Sequence, residues 1–193
     1  MSIANYFTFA RLLLSPLFLL VYLKHEALGI TPTALPYVLF ILLGILELSD
    51  AFDGYIARKY NQVTDLGKIL DPMADSILRI TVFLAFTQDP VNLPIFLVFI
   101  FLYRDSMISM LRTLCALKGF ALAASMKGKI KSIMQALAAF IIILLMIPHS
   151  LGMLDTSTFE SLSLWIVSIA AAYSVYSGID YFINHRSTIA KML

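Results

Sequence analysis

The sequence predicts an all-α integral membrane protein with six transmembrane helices, and three observations predict it. The first is composition. Of 193 residues, 60% are hydrophobic and only 13% are charged, with a mean hydropathy of +0.88, whereas a soluble domain is closer to half apolar and a quarter charged. A core of this size cannot hide that excess, so much of it must face lipid. The second is length: six apolar runs, roughly 6–23, 34–52, 67–87, 92–117, 130–148 and 161–183, each approach the ~20 residues that cross a bilayer. The third is the placement of Lys and Arg, which alternates between connections and so sets an orientation.

Taken in order, the run at 6–23 lacks a basic leader and a small-residue cleavage pattern, so it is expected to be retained. Thr31-Pro32 and Pro36 separate it from 34–52, Asp89-Pro90 and Pro94 separate 67–87 from 92–117, and Pro148-His149 closes 130–148. Each run must be a helix, because an isolated strand would leave its backbone groups unpaired in lipid. One set of connections carries Arg58, Lys59 and Lys68, then Lys118, Lys127, Lys129 and Lys131, with Arg186 and Lys191 in the tail; the other set carries only Lys24. Both termini and the 50–75 connection are therefore expected in the cytoplasm, with the chain in the inner or plasma membrane. Residues 1–193 read as a single domain. The lone Cys115 excludes an internal disulfide, and nothing in the pattern points to a nucleic acid. Trp165 and the tyrosines near the ends of the runs suit an interfacial belt, and His25, His149 and His185 have no metal-ligand spacing.

Residues 50–75 read DAFDGYIARKYNQVTDLGKILDPMAD, with five aspartates, one arginine and two lysines between strongly apolar runs. Asp50 and Asp53 are three apart, and Asp71 and Asp75 four apart, so each pair shares a helical face. The two spans are consecutive, so the expectation is two antiparallel helices presenting two carboxylates each toward one another at the cytoplasmic boundary. Insertion scales charge roughly 2.5–3.5 kcal/mol for an Asp at mid-membrane, and four close carboxylates repel, so a positive group must sit among them. Hard oxygen ligands without His or Cys select Mg²⁺, Mn²⁺ or Ca²⁺ over zinc. Four carboxylates also suit two ions held ~3.5–4 Å apart for phosphoryl chemistry. The structural alternative is an ion pair with Arg58 or Arg79; it accounts for one such aspartate more readily than for four in register. Asp65 reads as a solvated or capping residue.

Between the acid pairs, Gly54 and Ala57 would let a nucleotide approach the backbone, or simply let helices pack closely. Arg58 can grip a phosphate through two donors or mark the boundary. Gly67 offers a permissive opening to the third helix, and Pro72 removes one backbone donor near its start.

Written as spacing, Asp50-x2-Asp53-Gly54-x2-Ala57-Arg58-x8-Gly67-x3-Asp71-x3-Asp75 resembles the signature of the CDP-alcohol phosphotransferase family at every position. The resemblance implies a six-helix membrane enzyme, commonly a homodimer, that joins the phosphatidyl group of a CDP-linked lipid to an alcohol and releases CMP. It implies that Asp50, Asp53, Asp71 and Asp75 hold two Mg²⁺ or Mn²⁺ ions and that Asp75 is also the general base. Gly54, Ala57, Arg58, Thr64 and Gly67 would line the nucleotide.

Three further stretches resemble the phosphatidylglycerophosphate synthase branch: Asn5-x2-Thr8-x2-Arg11, Ala124-Ser125-x2-Gly128-Lys129-x-Lys131-Ser132-x2-Gln135, and Ser177-Gly178-x-Asp180-Tyr181. That likeness implies CDP-diacylglycerol as donor and sn-glycerol 3-phosphate as acceptor. A phosphorylated acceptor needs cations, and Arg104, Arg112, Ser125, Lys129 and Lys131 are the candidates to bind its phosphate. For the arginines the alternative is pairing with Asp105 or backbone carbonyls; for the lysines it is orientation and attraction to anionic headgroups. The chain departs from the branch at two places: Ser76 stands where a lysine is usual after the last aspartate, and Arg104-Asp105 stands where Arg-Glu is usual. Sister enzymes using inositol phosphate, serine or phosphatidylglycerol share the signature. An ion-coupled transporter would also bury carboxylates, but no inverted repeat accompanies them here.

Overall fold

A computed structural model describes the backbone of residues 3–59, 65–117 and 125–190, and side chains within 11–49, 71–117 and 125–186. Among these residues every regular element is helical: α1 (Ile3–Lys24), α2 (Leu35–Lys59), α3 (Asp65–Ala85), α4 (Ile95–Leu117), α5 (Met126–Ser150) and α6 (Thr156–Ala190). Each apolar run falls on one helix. Most helices extend beyond their run, because hydropathy marks only the greasy part while capping turns are polar.

Local chemistry sets the ends. Thr31 Oγ1 accepts from the Ala34 amide before α2 (3.3 Å), Ser125 Oγ accepts from the Gly128 amide at the start of α5 (3.0 Å), and Asp155 Oδ2 accepts from the Thr158 amide at the start of α6 (2.8 Å). Each satisfies an amide that a helix start leaves without an internal partner. Gly152, with φ of +71°, turns the chain between α5 and α6 in a conformation that favours glycine.

Packing among the described residues runs in a ring, α1 to α3 to α4 to α6 to α5 to α2 and back to α1, with α3 and α5 also touching across it. The α1–α3–α4 side is filled by aromatics: Phe83 and Phe101 rings lie 4.9 Å apart, and Phe86 meets Phe18 edge-on at 6.3 Å. The outside is apolar on every helix, with Leu13, Ile41, Ile77, Phe96, Leu137 and Ile169 all exposed. That is far more than the scattered apolar residues of a soluble monomer, and it marks a lipid or partner surface. Among the described residues, α5 over Met126–Ser150 and α6 over Thr156–Arg186 are long and apolar enough to cross a bilayer, and Leu35–Ser49 is a shorter apolar segment.

Candidate active site

The helix α3 carries two of the four aspartates. Asp71 and Asp75 sit one turn apart, Asp75 at the middle of the helix. Arg11, on α1 and 1% exposed, donates from Nη1 to Asp75 Oδ1 at 3.0 Å. Arg79, one turn after Asp75, lies 3.5 Å from its other oxygen and reaches across to Glu47 of α2 at 3.4 Å. Two buried guanidiniums thus fix the Asp75 carboxylate, and one of them ties α3 to α2. Glu47 is one turn before Asp50 on the same helix. Arg11 falls in a motif visible in the sequence, but its partner lies 64 residues away. No spacing rule reaches that far.

Of Asp50, Asp53, Gly54, Ala57, Arg58 and Gly67 only the backbone is described, and Thr64 lies outside the described residues altogether; the backbone carries Asp50 and Asp53 in the second half of α2. Among the described residues no cluster of three or more His, Cys, Asp or Glu could hold a metal. The described half of the set, Asp71 and Asp75, offers only hard carboxylate oxygens, the donor chemistry that fits Mg²⁺ or Mn²⁺.

The next residue of α3, Ser76, roughly 100° round the helix from Asp75, meets a second cluster. Asp105 of α4, with its side chain 3% exposed, accepts at Oδ1 from Arg104 Nη1 (2.8 Å) and from Lys131 Nζ of α5 (2.9 Å). At Oδ2 it accepts from Lys131 Nζ (2.9 Å) and from Ser76 Oγ of α3 (3.0 Å). The two positions at which the chain departs from the branch pattern, Ser76 and Asp105, are therefore bonded to each other. Arg104 also donates from Nη2 to Ser177 Oγ of α6 at 2.9 Å. Gly178 follows, and a Cβ there would come within 3.1 Å of Arg104 Cγ, so glycine is what lets the arginine pass.

Of the five residues expected to hold the acceptor phosphate, Arg104 and Lys131 are brought together on one carboxylate. Ser125 caps α5, and its first turn approaches the guanidinium: a Cβ on Gly128 would lie 3.8 Å from Arg104 Nη2. Arg112 is half-buried two turns beyond Arg104, within electrostatic reach of Tyr181. Lys129 is exposed. Lys127 instead pairs with Asp180 (2.5 Å) and Tyr176 (2.9 Å) of α6. Gln135, one turn beyond Lys131, is fully buried, and neither of its amide atoms has a partner among the described residues; a bound polar ligand or water satisfies such a group.

Comparison with known proteins bears on what this arrangement belongs to. The CDP-alcohol phosphatidyltransferase family matches residues 1–179 of the chain. The CDP-diacylglycerol–glycerol-3-phosphate 3-phosphatidyltransferase of Rickettsia typhi is 33% identical over 183 residues, covering 94% of this chain and 95% of the relative. The protein of the same name from Bacillus subtilis is 33% identical over 187 residues, covering 94% and 93%. A CMP-forming cardiolipin synthase from Streptomyces coelicolor is 34% identical over 108 residues, covering 56% and 48%. With the signature, the helical bundle and a family match over nearly its whole length, the chain belongs to the CDP-alcohol phosphatidyltransferase family, a membrane-associated group of transferases.

Proposed function

We propose that this protein transfers the phosphatidyl group of CDP-diacylglycerol to sn-glycerol 3-phosphate, giving phosphatidylglycerophosphate and CMP. The family supplies the reaction class, and the names of relatives matched over almost their full length favour this acceptor. The observation in the molecule that carries the acceptor is a charge imbalance. Arg104 and Lys131, both largely buried, share the carboxylate of Asp105, leaving that cluster, among the described residues, one positive charge in excess beside the acid-bearing helix. A buried excess charge is costly unless an opposite charge joins it. A phosphate on the acceptor would do so, whether on glycerol or inositol, and serine, whose charges cancel, would not; between the two phosphates the names of the relatives favour glycerol 3-phosphate.

In this reading the acceptor enters with its phosphate toward Arg104 and Lys131, with Arg112, Ser125 and Lys129 at the rim. Its free hydroxyl is then presented to α3. Asp75 takes the hydroxyl proton as the oxygen attacks the phosphorus that bears the lipid; a new O–P bond forms, the bond to the CMP oxygen breaks, and CMP departs. Arg11 and Arg79 keep the Asp75 carboxylate in a fixed orientation, which is what a positioned base requires. Gly54, Ala57, Arg58, Thr64 and Gly67 bind the cytidine diphosphate end. Two Mg²⁺ or Mn²⁺ ions held by Asp50, Asp53, Asp71 and Asp75 would neutralise charge on the diphosphate and keep attacking and leaving oxygens in line. The chain acts as one domain of six spans, with both termini and the site on the cytoplasmic side, as a homodimer.

The test offers radiolabelled CDP-diacylglycerol to purified protein with glycerol 3-phosphate, inositol phosphate, serine or phosphatidylglycerol, and resolves the lipid products. Phosphatidylglycerophosphate and CMP are expected with glycerol 3-phosphate. Product from phosphatidylglycerol alone would move the chain to the cardiolipin synthase reading, which the Streptomyces coelicolor relative favours over about half of each chain. Product from inositol phosphate or serine alone would overturn the acceptor. Thermal stabilisation by CDP with Mg²⁺ or Mn²⁺ is expected as well, and a transporter would ignore that nucleotide.

A further inference from the structure

We propose that Asp105 is a positioning residue for the acceptor: it holds Arg104 and Lys131 as a fixed pair of phosphate donors and, through Ser76, sets their distance from the helix that carries the base. The inference rests on the reading of Arg104 and Lys131 given above and says what places them.

Three features carry it. First, Asp105 has no capacity left for chemistry of its own. Each of its oxygens accepts two hydrogen bonds, Oδ1 from Arg104 and Lys131, Oδ2 from Lys131 and Ser76, which fills the roughly four lone-pair sites of a carboxylate. A saturated carboxylate can act only through the groups it holds. Second, the donors arrive from three helices: Arg104 from α4, Lys131 from α5 and Ser76 from α3. Long, flexible side chains are poor positioning devices until their ends are fixed. Here Lys131 Nζ is held at 2.9 Å to both oxygens. Arg104 is held at one nitrogen by Asp105 and at the other by Ser177, with Gly178 packed against its stem. Third, Ser76 is the residue after Asp75. Its hydroxyl donates to Asp105 while the Asp75 carboxylate accepts from Arg11, so two consecutive residues of α3 link the base to the phosphate donors. The separation of base and cations is then a fixed length, matched to an acceptor whose phosphate and attacking hydroxyl stand a set distance apart.

The experiment measures acceptor KM and kcat for the purified full-length protein with Mg²⁺, together with the rise in melting temperature on adding CDP, which reads the donor side alone. Asp105→Asn, Asp105→Glu, Ser76→Ala and Gly178→Ala are compared with wild type. Asp105→Asn is expected to raise the glycerol 3-phosphate KM about tenfold or more, the scale of a lost charged hydrogen bond, with the CDP shift retained. Asp105→Glu should recover part of that loss, because it restores the charge. Ser76→Ala and Gly178→Ala should each raise the acceptor KM about threefold or more and leave the CDP shift unchanged. If Asp105→Asn does not fold, Ser76→Ala and Gly178→Ala decide. Acceptor KM within threefold of wild type in the deciding variants overturns the proposal; so does a rise accompanied by an equal loss of the CDP shift, which marks a merely structural role. A wild-type protein that responds to CDP yet never uses a phosphorylated acceptor overturns the acceptor reading itself and, separately identified, this inference with it.

Discussion

Single side chains carry the chemistry, and they differ in how far spacing alone reveals them. The four aspartates announce themselves because acid groups at helical intervals in a greasy chain have few uses. Asp50→Asn, Asp53→Asn, Asp71→Asn and Asp75→Asn are each expected to lower turnover at least ~100-fold, the scale of metal-site and general-base losses. Steady-state assay of purified variants checks this, and wild-type rates from any two would dissolve the shared site. Arg11 and Ser76 were invisible as site residues, since each gains its meaning from a partner 64 or 29 residues away. Arg104 and Asp105 show the limit of spacing rules most sharply. Adjacent residues on a helix do not face each other, yet here they bond at 2.8 Å, the pairing that the sequence offers as the alternative to phosphate binding, and Lys131 of α5 and Ser177 of α6 bond to the same two side chains. The departures at Ser76 and Asp105 looked unrelated in the sequence and prove to be one contact.

At the level of elements, the six helices were legible because hydropathy and breakers are local signals. Their ends were less so. The run at 161–183 became a 35-residue helix starting at Thr156, because Asp155 caps it in a polar turn that hydropathy does not register. That cap has a pH signature. The Thr158 amide and hydroxyl hold the Asp155 carboxyl below its ordinary value of 3.8. A carboxyl lowered by folding contributes stability in full above its unfolded value and loses it as pH falls through its folded value. The melting-temperature difference between wild type and Asp155→Asn, which still caps but cannot titrate, should therefore shrink as pH drops from 6 to 3. A difference constant over that range would mean that the carboxylate charge adds nothing at this cap. The α3 helix is legible in the sequence as the carrier of two acids, but not as the link between two clusters. That role depends on which helices lie on either side of it.

For the whole molecule, charge asymmetry between connections makes a prediction that backbone geometry does not. In a Cys115→Ser background, a cysteine at Asn61 should react with a membrane-impermeant thiol reagent only from the cytoplasmic side, and one at Gln88 only from the other. Labelling of both from one side would break the six-span orientation. The apolar exposure on all six helices agrees with the composition from which the membrane reading began, so class and surface were written in the residue types alone. What the sequence determined by itself was the helical class and the acidic signature, because these rest on composition and on spacing within one or two helices, and the reaction family followed from the resemblance of that signature. The tertiary structure decided which donors serve which carboxylates: Arg11 and Arg79 on Asp75, and Lys131, Arg104 and Ser76 on Asp105. The physical reason is range. Periodicity is felt over a few turns of one helix, whereas a buried ion pair is settled by which helices pack side by side, and in this ring α1 lies against α3 and α4 against α6.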